Sequence, residues 1–182
     1  MANVDTATAL GVLTRALPGK RVAALNMANA HHIGGGYARG AMAQEEDLCR
    51  VMPALVHQLR ELQYPLRADQ AHFTTTLLAR DERYLLLPEW QEVNIISAAM
   101  PNLHPGAALA AGTRAWHRTV HLRIRAVLHA AVTEKVRLIQ SSSALLAAAP
   151  SITLRRTWRR ASARCCGVTS LPVAFGASCL RL

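Results

Sequence analysis

Apolar positions recur along the first three quarters of the chain with periods that alternate between helix and strand. Their spacing across Thr6–Leu17 predicts a helix, with Asp5 as its N-cap. The short apolar run Arg21–Asn26 follows a turn and predicts a buried strand. A second helical pattern extends over Gln44–Leu62, and Pro53 inside it predicts a kink or a break.

The middle of the chain has the pattern of strands followed by a long helix. Thr74–Leu78 and Tyr84–Leu87 predict two strands on either side of a charged hairpin turn, and Val93–Ala98 is typical of a buried strand. Ala107–Ala131 predicts a helix, whose inner side we expect to carry Trp116, Val120, Ile124 and Val127. A further strand is predicted at Val136–Ile139. Alternating strands and helices favour an α/β sheet covered on both faces, with sites at the carboxyl ends of the strands.

Polar residues and glycines concentrate where the first predicted strand leaves the sheet. Asn26 and Asn29 lie at this point, which is a common position for side chains that contact a ligand. The triplet Gly34–Gly36 permits positive φ and lets backbone N–H groups approach an anionic or bulky ligand. The same triplet also fits a merely flexible loop, so glycine alone does not decide between the two interpretations.

Gln44 and two glutamates open the next predicted helix. Glu45 and Glu46 are favoured there by the helix dipole, which is a purely structural explanation. The chemical alternative is that one glutamate acts as a general acid and base while the other orients substrate hydroxyls. The order of strand end, paired asparagines, triple glycine and Gln-Glu-Glu within one short span favours the chemical explanation.

Other residues have weaker functional explanations. His31 and His32 are adjacent and lack a third ligand, so no metal site is predicted. Trp90 fits either a ring that stacks on adenine or a buried core residue, and Cys49 is expected in the core. The arginines of the long helix are expected on a solvated face: Arg114, Arg118, Arg123 and Arg125.

Composition and charge divide the chain in two. Its 182 residues suit one domain. Residues 1–136 contain 14 Lys/Arg and all 11 Asp/Glu, whereas residues 137–182 contain seven Lys/Arg and no acid.

The four cysteines form no disulfide framework, and the N-terminus lacks the features of a secretory signal, so we expect a cytoplasmic protein. The uncharged stretch Leu138–Leu154 contains Gln140, three serines and Pro150, which argues against a membrane span.

The stretch from Asn26 to Arg50 resembles the signature of microbial-type poly(ADP-ribose) glycohydrolases, a family within the macrodomain superfamily. That family is marked by Gly-Gly-Gly followed six to eight residues later by Gln-Glu-Glu, and here seven residues separate Gly36 from Gln44. The likeness continues through QYPL at Gln63–Leu66 and VNIISAAMPNL at Val93–Leu103, so that it covers roughly residues 2–137.

The resemblance implies a three-layer α/β/α macrodomain-like fold with a mixed central sheet. It also implies a bacterial, cytoplasmic glycoside hydrolase that cleaves ribose–ribose O-glycosidic bonds in poly(ADP-ribose), or a related ADP-ribosyl link, without a cofactor. The implied partners are ADP-ribose, poly(ADP-ribose) and ADP-ribosylated proteins, with no membrane or nucleic acid, and the implied state is a monomer.

The resemblance also implies roles for individual residues. Glu46 would protonate the leaving ribose oxygen and then accept a proton from the attacking water. Glu45 would act beside it by holding ribose hydroxyls. The implied ligand-binding residues are Asn26, Asn29, Gly34, Gly35, Gly36 and Gln44.

The sequence departs from the family pattern after about residue 137. The family has a second glycine-rich loop there, resembling GCGAFGN, whereas this chain has no glycine between residues 112 and 167. Codons can be written for Leu146–Leu154 and Arg155 that, read from their third base, encode Gly-Cys-Gly-Ala-Phe-Asp-Asn-Ala-Pro. We therefore predict a C-terminally incomplete catalytic region over residues 1–137, followed at 138–182 by a basic atypical tail read out of frame.

Two rival functions stay open. A macrodomain can bind ADP-ribose without cleaving it, so the chain can be a non-catalytic reader or an inactive truncated homologue. The retained Glu45-Glu46 pair argues against that reader. Alternatively, the basic tail can bind nucleic acid, although a run of positive charge by itself specifies no partner. The arginines concerned are Arg155, Arg156, Arg159, Arg160 and Arg164.

Overall fold

A four-stranded mixed sheet organises residues 4–101 and 110–139, the part of the chain that the computed structural model describes. The helices and strands follow in the order α1 (Thr6–Ala16), β1 (Val22–Ala28), α2 (Gln44–Val51), α3 (Pro53–Arg60), β2 (His72–Arg80), β3 (Leu86–Ala99), α4 (Arg114–Thr133) and β4 (Arg137–Ile139). The strand order is β2-β3-β1-β4. β1 is parallel to both β3 and β4, whereas β2 is antiparallel to β3.

Helices cover both faces of this sheet. Val22 and Ala24 of β1 pack into an apolar cluster with α1, α2 and α3, whereas Ala23 and Leu25 pack into a second cluster with α4. Successive strand residues point to opposite faces, and a strand buried on both faces has a continuous apolar run. The three-layer α/β/α arrangement that the sequence resemblance implies is therefore confirmed.

Local sequence signals account for the start and end of several helices. Asp5 caps α1 as predicted, since its Oδ1 accepts a hydrogen bond from Thr8 N at 2.9 Å. The predicted helix over Gln44–Leu62 is split, because α2 ends at Val51 and α3 begins at Pro53. Proline lacks a backbone N–H and is tolerated only in the first turn of a helix.

The hairpin predicted between β2 and β3 is confirmed, but the strand that follows differs from prediction. Asp81 closes the turn through a hydrogen bond from its N–H to Leu85 O at 3.0 Å. The two strands predicted at Tyr84–Leu87 and Val93–Ala98 are one strand of 14 residues, β3. Trp90 lies within it and is 60% exposed, so the interpretation of Trp90 as a core residue is wrong.

The long helix begins later and is rotated relative to prediction. Thr113 caps α4 by accepting a hydrogen bond from Trp116 N at 3.2 Å. The buried stripe of α4 consists of Trp116, Arg123, Val127 and Ala131. Ile124 is 38% exposed and Arg123 only 8%, so both were assigned to the wrong side of the helix. Successive side chains of an α-helix are about 100° apart around its axis, so Ile124, next to the buried Arg123, lies outside that stripe.

Two regions treated by the sequence analysis lie outside the described residues. They are the start of the predicted long helix at 107–109 and the predicted tail from residue 140 onwards. The strand predicted at Val136–Ile139 is confirmed as β4, which pairs with β1. Within residues 4–101 and 110–139, no helix is long and apolar enough to cross a membrane.

Candidate active site

The first strand extends further than predicted and carries Asn26 into the protein. β1 ends at Ala28, so Asn26 lies within the strand, not at its end, and its side chain is fully buried. Its Nδ2 donates a hydrogen bond of 3.1 Å to Ser97 Oγ on the neighbouring parallel strand β3. Asn29 is the first residue after β1, so it lies at the carboxyl edge of the sheet, where the sequence predicts a site.

Asn29 shapes the loop that leaves this edge. Its Oδ1 accepts hydrogen bonds from the backbone N–H groups of His31, at 2.9 Å, and His32, at 3.0 Å. This is the local turn that asparagine favours through its short side chain. The backbone N–H of Asn29 donates to Glu45 Oε2 at 2.7 Å. The same residue therefore starts the glycine loop and holds one carboxylate of the predicted pair.

The glycine triplet lies directly against the two glutamates. Gly35 has a φ of 59°, and a Cβ placed there would collide with Glu46 Oε1 and lie 3.1 Å from Glu45 Oε2. The next residue, Gly36, donates its N–H to Glu46 Oε1 at 2.8 Å. Only glycine combines positive φ with so close an approach of the backbone. The triplet is thus a tightly constrained segment of the site.

The two carboxylates occupy the first turn of α2 and are buried. Glu45 is 3% exposed and Glu46 is 8% exposed. Burial raises the pKa of Glu45 to about 7, since it disfavours the charged form; the N–H of Asn29 and the amide of Asn26 lower that pKa, and the charge of Glu46 raises it. Glu45 is therefore partly protonated near neutral pH.

The oxygens of the pair differ in their access to solvent. Glu45 Oε1 is completely buried and has no hydrogen-bond partner among residues 4–101 and 110–139. Glu46 Oε1 accepts a hydrogen bond from Gly36. Glu46 Oε2 has no hydrogen bond within these residues, and it is not fully buried. Within the described residues, Glu46 Oε2 is consequently the oxygen of the pair that is neither hydrogen-bonded nor fully buried.

Gln44 attaches the start of α2 to the central strand. Its Oε1 accepts a hydrogen bond from Met27 N at 2.9 Å, and its Nε2 donates to Leu25 O at 2.8 Å and to Thr6 Oγ1 at 3.2 Å. Both ends of the amide are therefore used within the protein. That Gln44 contacts a ligand stays a prediction, and its observed contacts position Glu45 and Glu46.

Arg50 is a residue of this site that the sequence analysis missed. Its Nη2 donates to Tyr37 O at 3.3 Å and to Ala41 O, on the turn that follows the glycines. Arg50 lies four residues after Glu46, so both project from one face of α2. That spacing is the one sequence signal that connects Arg50 with the glutamates; its backbone partners become apparent only in the folded chain.

The remaining candidates near the loop have structural surroundings. His31 and His32 are exposed, and among the described residues no group of three or more His, Cys, Asp or Glu could hold a metal ion. Cys49 is buried in the core as predicted. Burial, followed by the charges of Glu45 and Glu46, raises the pKa of the Cys49 thiol to about 12, so it stays protonated at neutral pH.

Comparison with known proteins assigns this fold and site to a class. Residues 1–82, which include the glycine loop and both glutamates, match the family described as microbial-type PARG, catalytic domain. The poly(ADP-ribose) glycohydrolase of Thermomonospora curvata bound to the inhibitor ADP-HPD is similar, with a TM-score of 0.61 and 30% identity over 75% of this chain and 55% of that chain. The glycohydrolase of Deinococcus radiodurans in complex with ADP-ribose has a TM-score of 0.56 and 32% identity over 74% and 59% of the two chains.

Over residues 1–82 the chain therefore matches the microbial-type poly(ADP-ribose) glycohydrolase family, and over about three quarters of its length it is similar to solved glycohydrolases. It spans somewhat more than half the length of the solved structures that it resembles. No curated protein matches it significantly.

Proposed function

We propose that this protein is an ADP-ribosyl glycohydrolase that cleaves ribose–ribose O-glycosidic bonds in poly(ADP-ribose). The observation that carries the proposal is the buried pair Glu45 and Glu46, which lies beneath the backbone of Gly34–Gly36 at the carboxyl edge of the sheet. The family match over residues 1–82 supports it, because that match includes both glutamates and the loop.

Glu46 is the proposed proton-transfer group, since its Oε2 is the accessible oxygen of the pair. In its protonated form it donates a proton to the leaving ribose oxygen while the bond from that oxygen to the anomeric carbon breaks. The resulting carboxylate then accepts a proton from a water molecule whose oxygen bonds to the same carbon. One water is consumed, and each ribose fragment ends with a hydroxyl group.

Glu45 is the proposed orienting group. Its Oε2 accepts a hydrogen bond from Asn29 N–H and its Oε1 is fully buried, so the protein fixes the orientation of the carboxylate. The backbone of Gly34–Gly36 then covers the ribose and diphosphate of the substrate, with Asn29 at the edge. In this arrangement Asn26 and Gln44 act on the ligand indirectly: Asn26 joins β1 to β3, and Gln44 joins β1 to the start of α2.

One observation favours a second distribution of these roles. A general acid works best when its pKa lies near the working pH, and burial raises the pKa of Glu45 to about 7. In this alternative Glu45 supplies the first proton and Glu46 activates the water. Glu45→Gln distinguishes the two distributions, since it loses all turnover while retaining binding only if Glu45 donates the proton, whereas Glu46→Gln is inactive in both cases.

The test of the function is direct. Purified protein is incubated with poly(ADP-ribose) and the release of ADP-ribose is followed, with calorimetry of ADP-ribose binding beside it. We expect both turnover and binding; binding without turnover would instead favour a non-catalytic reader. A chain whose codons after residue 137 are read in the neighbouring frame is the reference for full activity. Cytoplasmic location and a monomeric state belong to the same proposal.

A further inference from the structure

Two buried oxygen atoms beside the candidate active site have no hydrogen-bond partner among the described residues. They are Glu45 Oε1 and the phenol oxygen of Tyr64. An ionised carboxylate only accepts hydrogen bonds, whereas a phenol donates one. A buried polar atom without a partner costs free energy, so two complementary atoms of this kind favour an interaction with each other.

The elements that carry these two atoms meet at the end of β1. Tyr64, in the connection between α3 and β2, packs against a small cluster that contains Ala28, the last residue of β1. The same connection is attached to the chain after β1 by a hydrogen bond of 2.8 Å from Leu66 N to Ala30 O. Between these two anchors lies Asn29, whose N–H holds Glu45 Oε2. Three successive residues therefore bring Tyr64 and Glu45 to one place.

The electrostatics of the phenol agree with this proximity. Burial raises the pKa of Tyr64 to about 12, and the negative charge of Glu45, followed by that of Cys49 where its thiol ionises, contributes to that rise. The other titratable groups that interact with Glu45 are Glu46 and Cys49, both on α2, and the Asn26 amide also acts on it. The Asn26 amide already donates to Ser97 Oγ, so among the groups that act on Glu45, Tyr64 is the one whose buried hydroxyl has no partner in the described residues.

We propose that Tyr64 is a positioning residue whose hydroxyl donates a hydrogen bond to Glu45 Oε1, after a small side-chain rotation or through one buried water. Glu45 is then held on both oxygens, by Asn29 N–H on Oε2 and by Tyr64 on Oε1. Two donors fix the plane of a carboxylate and stabilise its charged form. Tyr64 itself touches no substrate. Only its effect on catalysis rests on the proposed function, whereas the hydrogen bond does not.

The test measures the protonation of Glu45 by carboxyl carbon NMR of the full chain between pH 4 and 9. Tyr64→Phe removes only the hydroxyl, and we expect it to raise the pKa of Glu45 by about one unit, a tenfold change in proton affinity. The matched control is Tyr84→Phe, which removes a hydroxyl that donates to Asp47 Oδ1 at 2.7 Å on the same helix. This control leaves the pKa of Glu45 unchanged. An equal pKa in the wild type and Tyr64→Phe would overturn the proposal.

A second measurement applies if Tyr64→Phe does not fold. In the wild type, the hydroxyl proton of Tyr64 should exchange slowly and shift as Glu45 titrates, and in Glu45→Gln that shift should disappear. A Tyr64 resonance that ignores the ionisation of Glu45 would also overturn the proposal. Both measurements are independent of substrate, so they remain valid if the protein proves inactive. If it is active, Tyr64→Phe should weaken ADP-ribose binding about three- to tenfold, in line with one lost hydrogen bond.

Discussion

Gly36 donates its backbone N–H to Glu46 Oε1 at 2.8 Å, across ten residues of sequence. This single hydrogen bond closes the glycine loop over the start of α2 and fixes one oxygen of the proposed catalytic group. Because Oε1 accepts this hydrogen bond, Oε2 is the oxygen left for the proposed proton transfer. The loop and the carboxylate therefore depend on each other, and several expected outcomes follow from that dependence.

Glu46→Gln should abolish turnover and change ADP-ribose affinity by less than about threefold. Glutamine keeps the shape of the side chain and can still accept from Gly36, but its amide cannot transfer the proton. The measurements are hydrolysis of poly(ADP-ribose) and calorimetry. Glu61→Gln, at an exposed position after α3, is the control and should behave as the wild type. Normal hydrolysis by Glu46→Gln would remove Glu46 from the mechanism.

Gly35→Ala should lower activity at least tenfold and reduce the free energy of unfolding by about 2–4 kcal/mol. Its methyl group would enter the space of Glu46 Oε1 at a φ of 59°. Gly40→Ala is the matched control, since Gly40 has a φ of 82° and a methyl group added there would meet nothing within 4 Å. The control should lose only about 1 kcal/mol, from backbone strain. Urea denaturation and the turnover assay measure both effects; equal losses in the two variants would show that contact with Glu46 is unimportant.

Glu45→Gln should change how stability depends on pH. The pKa of Glu45 is about 7 in the folded protein and 4.5 in the unfolded reference, so folding favours the protonated form. This stabilisation is complete below about pH 4.5 and is lost as pH rises through 7. The difference of about 2.5 units corresponds to about 3 kcal/mol at most.

We therefore expect Glu45→Gln to gain up to that amount over the wild type at pH 8 and nothing at pH 4.5. Urea denaturation at the two pH values measures the difference. Contributions from other titrating groups, such as His72, are common to both proteins and cancel. If the two proteins lose stability in parallel between these pH values, burial of Glu45 does not raise its pKa.

Gln44→Leu should destabilise the protein by about 2–4 kcal/mol. The change leaves Met27 N–H and Leu25 O without their partners at the start of α2. Gln63→Leu is the control, at an exposed position whose side chain makes no hydrogen bond within the described part of the chain, and it should cost less than about 0.5 kcal/mol. Thermal and urea denaturation measure both. A Gln44 variant as stable as its control would exclude the anchoring role.

The coding sequence should contain a shifted reading frame after about residue 137. In the neighbouring frame, the codons for Leu146–Leu154 and Arg155 should encode a glycine-rich loop close to Gly-Cys-Gly-Ala-Phe-Asp-Asn-Ala-Pro. Resequencing of the gene region tests this prediction. Codons that restore no glycines in either alternative frame would contradict it, and the basic tail would then be a property of the protein itself.

Several structural features could be predicted from a few residues that are neighbours in the sequence. The N-cap at Asp5, the break at Pro53, the hairpin at Asp81 and the grouping of Gly34–Gly36 with Glu45 and Glu46 all follow from residues close together in sequence. Capping, proline geometry and glycine conformations depend on a few neighbouring residues, and short segments therefore contain the information.

Other features were decided by contacts between distant residues. Asn26 is buried because β1 continues past it alongside β3, and Arg123 is buried because α4 presents that stripe to the sheet. The side-chain amide of Gln44 is hydrogen-bonded to β1, which lies 17 residues earlier in the chain at Met27. Burial raises the pKa of Glu45. The sequence by itself determined the order of helices and strands and the grouping of the glycine loop with the two glutamates. Only the tertiary structure decided how deeply each residue is buried and which oxygen is accessible, because both depend on the packing of elements that are far apart in the chain.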